Sequence, residues 1–264
     1  MPGAPPDSAV VAVHYSRSFG PWGSHAVAVE REGDSSLMLS FNHDGAPEVG
    51  LWQHLLEPAR FDELVLALRA SRYQELPTPA SPYPGMAPVS LGERRAGTMP
   101  VMRSFATVTP ELDGVMACLA RVEAELREHP VRVVRGAAAW RGAELAPGGT
   151  AEIELTLMNV GAQPLERPSP LGAATGGWTG LRLAYLRPNR EQVAFTDLRP
   201  EDVGPLAGDQ AAPTLLLAPA ESASFLLRSR LPAAVRPGRY QPVLEVRTHS
   251  DCLWLEPGPL VIIQ

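Results

Sequence analysis

Hydrophobic spacing along the chain changes its period several times. Val11-Ala12-Val13-His14-Tyr15 and His25-Ala26-Val27-Ala28-Val29 carry apolar residues at strand spacing and are joined by SRSFGPWGS. Leu37-Met38-Leu39-Ser40-Phe41 follows the turn signal Gly33-Asp34, and the three runs predict an antiparallel meander. Helical spacing takes over after Pro58, a residue tolerated in a first turn, with Phe61, Leu64, Val65 and Leu68 on one face. The proline-rich passage PTPASPYPGMAP cannot sustain a helix and reads as a surface loop. Strand patterns return at residues 89–91 and 101–105. A second helix follows, with Thr109 as cap, Pro110 in the first turn, and Leu112, Val115, Met116, Leu119, Val122 and Leu126 on its apolar face, until His129-Pro130 stops it. The order strands, helix, strands, helix predicts an α+β N-terminal domain, an antiparallel sheet with two helices on one face, over residues 8–131.

After Pro130 the pattern turns to short strands and turns. Ala151-Glu152-Ile153-Glu154-Leu155-Thr156-Leu157 alternates strictly, and Asn159-Val160-Gly161 reads as the turn that ends it. Further strands are predicted at 131–134, 181–186, 192–195, 215–217, 222–227, 240–246 and 253–255. Seven or eight short strands over residues 132–264 predict an all-β immunoglobulin-like sandwich.

Composition narrows the function classes. A chain of 264 residues can bury a sizeable core, and its 45% apolar and 20% charged residues are those of an ordinary globular protein. No apolar run reaches the roughly 18 residues of a membrane span, so no membrane insertion is expected. The N-terminal MPGAPPDSAVVAVHYSR lacks a basic start, a long apolar run and a cleavage signature, which points to the cytoplasm. All 23 basic residues are Arg, and the net charge is -6. Residues 1–130 hold 10 Arg against 16 Asp and Glu, whereas the rest holds 13 of each. An acidic first half disfavours nucleic acid as a partner and suits a basic one. Cys118 and Cys252, one in each half, read as small buried hydrophobes and imply no disulfide framework.

The succession PGGTAEIELTLMNVG, APAESASFLLRS and PGRYQPVLEVRT resembles bacterial immunoglobulin-like domains, among them the intracellular proteinase-inhibitor-like family. Pro147-Gly148, Asn159 and Gly161, then Pro237-Gly238 and Tyr240, carry the likeness. It implies a sandwich fold over residues 132–264; no reactive loop matches residue by residue. The first half looks like a small bacterial α+β domain of unassigned function, through Arg17, Gly20, Gly23, Gly33 and the helix beginning near Pro58. Members of that group often carry a cysteine in the opening turn, where this chain has Pro21-Trp22.

Catalytic grammar is sparse. The six histidines form no H-E-x-x-H, and the nearest metal-like grouping is His43-Asp44 with His54 and His25, so no metal and no cofactor is expected. No Ser sits in G-x-S-x-G, and the paired carboxylates Asp62-Glu63 and Glu201-Asp202 fall where a helix start and a turn explain them. Aromatic residues in loops stand out instead: Phe19 and Trp22 beside Arg17, Tyr83 in the proline-rich loop, and Trp178 in GGWTG. Arg and Trp are enriched at interface hot spots, where a rigid ring lies beside a multidentate donor. Trp254 reads as sandwich core, and Trp140, just after the interdomain segment, as a residue that packs between the halves. The expected function is that of a non-enzymatic protein-binding protein, an immunity or inhibitory partner of a toxin or protease. A scaffold assembling through the sandwich, and a small-ligand binder or hydrolase using the interdomain cleft with His25, His43 or His54, are the alternatives.

Overall fold

The computed structural model describes residues 10–77, 89–170, 180–206 and 214–263. The chain divides into two compact units, Met1–Leu39 with Leu51–Val131, and Ser40–Gly50 with Arg132–Gln264.

In the first unit, β1 (Val10–Ser18) pairs antiparallel with β2 (Ser24–Glu30), and β2 with β3 (Ser35–Leu39). The next strand, β4 (Glu48–His54), belongs to this unit from Leu51 onward. After helix α1 (Pro58–Ala70), β5 (Val89–Arg95) returns to the free side of β1, and β6 (Val101–Phe105) pairs with β5. The registers Val27↔Leu37, Tyr15↔Val27 and Tyr15↔Leu91 place one buried side chain from each of four strands in a row, as a period of two requires. Helix α1 packs against β1, and α2 (Asp113–Leu126) packs against β3 and α1. Phe61, Leu64, Val65 and Leu68 of α1 are buried, and so are Val115, Leu119, Val122 and Leu126 of α2. Two details of the second helix differ from the sequence pattern. Pro110–Leu112 forms a 3-10 turn before the α-helix and Thr109 makes no side-chain cap bond, while Cys118, not Met116, completes the buried face.

The second unit opens on β7 (Pro130–Trp140), which enters it at Arg132, and β8 (Glu144–Leu145). Then come β9 (Thr150–Asn159), β10 (Leu165–Pro168), β11 (Gly180–Leu186), β12 (Gln192–Leu198), β13 (Val203–Pro205), β14 (Thr214–Leu217), β15 (Ser222–Arg230), β16 (Gly238–Arg247), β17 (Cys252–Leu255) and β18 (Leu260–Ile262). One layer runs β13-β15-β9-β7 and another β12-β11-β16-β18-β8, with β17 also on β16 and β10 paired to β14. Ile153, Leu155, Leu157, Phe225 and Leu227 of the first layer share one core with Leu181, Leu183, Tyr185, Leu244 and Val246 of the second, a sandwich-like arrangement of two sheets. Its turns are fixed by buried polar groups. The fully buried Asn159 amide donates to the carbonyls of Gln163 and Leu217 at 2.8 and 2.9 Å, and its oxygen accepts from Gly161 N–H at 2.9 Å. Tyr240 Oη donates to Arg236 O at 2.9 Å and accepts from Arg236 N–H at 3.1 Å, closing the turn through Gly238.

These observations correct the expected fold class, an α+β N-terminal domain followed by an immunoglobulin-like sandwich. The described residues are 51% strand and 16% helix, and the two α-helices among them lie in the middle of the sequence. No continuous N-terminal α+β domain closes before the sandwich begins, because Ser40–Gly50 belongs with the later strands. The helices show a strong apolar period and dominate a reading by pattern, whereas backbone pairing between strands organises most of the chain. Trp254 is also corrected: it occupies the outward position of β17 and is 38% exposed. Trp140 is half-buried against the second unit's core, and its Nε1–H donates to Gly258 O at 3.0 Å.

Candidate functional site

The turn between β1 and β2 gathers three of the residues singled out in the sequence. Strand β1 ends at Ser18, and Gly20–Trp22 forms a single 3-10 turn. Phe19 N–H donates across it to Gly23 O at 2.8 Å, so the loop is closed by backbone. Gly20 at φ 63° and Gly23 at φ 139° occupy left-handed backbone that favours glycine, which explains the G-x-x-G spacing around Pro21 and Trp22. The Arg17 guanidinium lies over the Phe19 ring, 5.2 Å from its centre, and Trp22 is 41% exposed at the tip.

Beneath this turn is a polar cluster on the helix-covered face of the sheet. Arg17 and His25 are register partners on β1 and β2. His25 is buried, and its Nε2 lies 3.0 Å from Oε1 of Glu123 on α2. The buried Tyr15 ring meets the imidazole edge-on, with centroids 5.4 Å apart. Burial first, and then the Glu123 carboxylate, push the Tyr15 phenol above its ordinary range, while Arg17 opposes them. A carboxylate-oriented imidazole is a general-base arrangement in other settings. Here it brings the first residues of β2, next to the turn, against α2.

The remaining residues of interest scatter. Tyr83 and Trp178 lie outside the described residues. His54 stacks on His129 at 3.6 Å, and His43 Nδ1 contacts Phe41 O at 3.4 Å. No group of three or more His, Cys, Asp or Glu able to hold a metal is present among the described residues. Asp62 pairs with Arg31 at 3.2 Å, and Glu63 with Arg121 at 3.2 Å. Asp202 accepts from Arg199 N–H at 2.8 Å at the start of a 3-10 turn. Both cysteines are free and buried, and burial pushes the Cys252 thiol up to about 12. No helix among the described residues is long and apolar enough to cross a membrane. Sequence reasoning missed Glu123, whose partner on β2 becomes visible only once strand and helix are docked.

No known protein family matches the chain, and no curated protein does. Among solved structures it is similar to a family 123 glycoside hydrolase from Clostridium perfringens, at 7% identity and TM-score 0.28, over 48% of this chain and 27% of that one. It is similar to AvmM, which catalyses macrocyclization in alchivemycin A biosynthesis, at 13% identity and TM-score 0.29, over 50% of this chain and 89% of that one. A β-glucosidase from Listeria innocua gives 15% identity and TM-score 0.23, over 49% of this chain and 17% of that one. The chain thus matches about a quarter of the length of the first hydrolase and about a sixth of the glucosidase. Likeness at these scores carries no weight for either fold or activity.

Proposed function

We propose that the protein is a non-enzymatic protein-binding protein of the cytoplasm, an immunity or inhibitory partner of a toxin or protease, that presents the β1–β2 turn to its partner. The observation that carries this reading is Trp22, held 41% exposed at the tip of a turn closed by backbone hydrogen bonding, with Arg17 and Phe19 stacked at its base. A large ring that is already ordered costs little conformational entropy to bind, and Trp and Arg dominate interface energetics. The acid surplus of the first half suits a basic partner. Two buried free thiols fit a reducing compartment.

Affinity capture of the tagged chain from its native lysate, with the mass of the recovered complex, tests the reading. A single stoichiometric partner is expected, in an interface burying more than about 1,200 Å². Trp22→Ala should weaken its retention by about thirtyfold, the effect of a hot-spot residue, while thermal unfolding stays close to that of the parent. Recovery of a solitary monomer, or a complex indifferent to both Trp22→Ala and Arg17→Ala, overturns it.

A further inference from the structure

Strand β6 is the outermost strand of the first unit's sheet. Among the described residues its one strand neighbour is β5, in a register from Val89↔Phe105 to Glu93↔Val101, and its other edge meets no strand. Apolar side chains crowd that edge. Met99, just before the strand, is 83% exposed, Val101 59% and Met102 42%. They lie on both faces of the sheet, since Val101, Arg103 and Phe105 share the face of the buried Leu91, and Met102 and Ser104 share the opposite one. Strand β5 covers neither exposed residue of β6. The register partner of Met102 is Gly92, which has no side chain, and that of Val101 is the buried Glu93, which accepts from Arg95 Nη2 at 3.0 Å.

An exposed strand edge is a template for further pairing, and proteins blunt such edges with short strands, proline or charge. The outer strands of the second unit's layers follow this rule. Strand β8 has two residues, β13 has three and ends in Pro205, and β12 carries Asp197, paired with Arg182 at 2.6 Å. Strand β6 has five residues, no proline and a single charge, Arg103. That guanidinium turns back to Leu76 O, 2.9 Å from Nη2, so it does not guard the edge.

Symmetry makes the strand its own complement. A two-fold axis normal to the sheet runs two copies of β6 antiparallel, keeps the helices of both on one side, and pairs residues of the same face. An axis at Arg103 would set guanidinium against guanidinium, which disfavours that register. An axis at Met102 sets Met102 opposite Met102 on one face, and Val101 opposite the apolar stem of Arg103 on the other. This register also takes in Met99, which lies outside a contact centred on Ser104.

We propose that β6 is a self-association edge, at which a second copy of this chain adds its own β6 antiparallel about a two-fold axis at Met102. Backbone hydrogen bonds hold the pair, and the two methionines, adaptable side chains, pack across the axis. Residues 99–105 run about 24 Å along a layer about 10 Å deep, a section of about 240 Å². Standard interfaces bury roughly 800 Å² on each partner, so this pairing is reversible. It uses none of Arg17, Phe19 and Trp22 and does not rest on the function proposed for them.

Sedimentation equilibrium of the full chain from about 5 μM to about 1 mM tests the proposal. A monomer–dimer equilibrium with Kd of about 10 to 500 μM is expected. Met102→Lys and Met102→Glu each place like charges across the axis and should raise Kd by about tenfold or more, with Tm within about 3 °C of the parent because the residue is exposed. An equal mixture of the two variants should restore the dimer, since residue 102 then meets its opposite charge. Trp22→Ala should leave the equilibrium unchanged. A parent that stays monomeric to about 1 mM, a dimer indifferent to both Met102 substitutions, or a mixture that stays monomeric overturns the proposal. A lysate protein held by a monomeric parent and lost from Met102→Lys overturns it as well, and gives the edge to a different strand.

Discussion

The Asn42 side chain acts as a piece of strand for Trp254. Its Nδ2 donates to Trp254 O at 2.9 Å while its Oδ1 accepts from Trp254 N–H at 2.6 Å, so one amide satisfies both backbone groups of a residue in β17. Cys252 N–H donates to Ser40 O at 2.8 Å just before it, and the Phe41 and Trp254 rings lie 5.5 Å apart. Together these contacts join Ser40–Gly50 to β17 in the second unit.

Removing that amide leaves a strand N–H and C=O without their partner. Asn42 is buried, so Asn42→Ala is expected to cost about 2 to 4 kcal/mol, read as a lower urea midpoint with unchanged m-value. Asn42→Asp buries a carboxylate with one oxygen against the Trp254 carbonyl and should cost at least as much as Ala at neutral pH. Equal stability of Asn42→Ala and the parent would show that water replaces the amide at no cost.

The same segment shows what could be read from the sequence. Strands β2 and β9 alternate throughout and both helices carry an apolar period, and their buried faces match it, whereas β1, β5 and β15 bury two or three consecutive residues. Strand β4 departs further. Its buried residues are Val49 and Trp52, an odd spacing, and Gly50 at φ 141° lies against β7, where a Cβ would stand 2.8 Å from Val133 Cα. Strands β8 and β13, of two and three residues, are too short for any period to register. The Arg17, Phe19 and Trp22 turn was legible because glycine spacing and ring content are local. The partnership of His25 with Glu123 was not, since it depends on which helix face meets which strand.

The His25–Glu123 contact should behave as a coupled pair. Each single change, His25→Phe or Glu123→Leu, strands a largely buried polar partner and should cost about 3 kcal/mol. The double variant replaces both by apolar groups and should cost clearly less than the sum, with a coupling of about 1 to 3 kcal/mol in a double-mutant cycle. Additive costs would mean that the two groups do not interact.

Acid should weaken the fold through His14. Burial holds its pKa below the usual value, with Arg94 acting in the same direction and Glu30 against both. Below about pH 6.5 the unfolded chain takes up a proton that the folded chain refuses, so stability declines as pH falls through that region. His14→Gln should flatten this part of the stability profile by up to about 1.4 kcal/mol per pH unit. An unchanged acid limb in the variant would assign the loss to the carboxylate ion pairs instead.

Alkali should act through Cys252. Its thiol, pushed up to about 12 chiefly by burial and then by Glu245, carries about a thousandfold less thiolate near pH 8 than a thiol at the ordinary value of 9.0. Iodoacetamide should therefore leave Cys252 unmodified in the folded protein and label it on unfolding in urea. Between about pH 9 and 12 the unfolded chain releases a proton that the folded chain retains, so stability falls as pH rises, by about 1.4 kcal/mol per unit for this one group. The buried phenols of Tyr15, Tyr73 and Tyr185, all pushed up by burial, extend the same decline above about pH 10. Cys252→Ala removes the thiol's share and should delay alkaline unfolding even though it removes buried volume at neutral pH. If the variant instead unfolds at lower pH than the parent after correction for its neutral stability, the thiol is not the group that titrates.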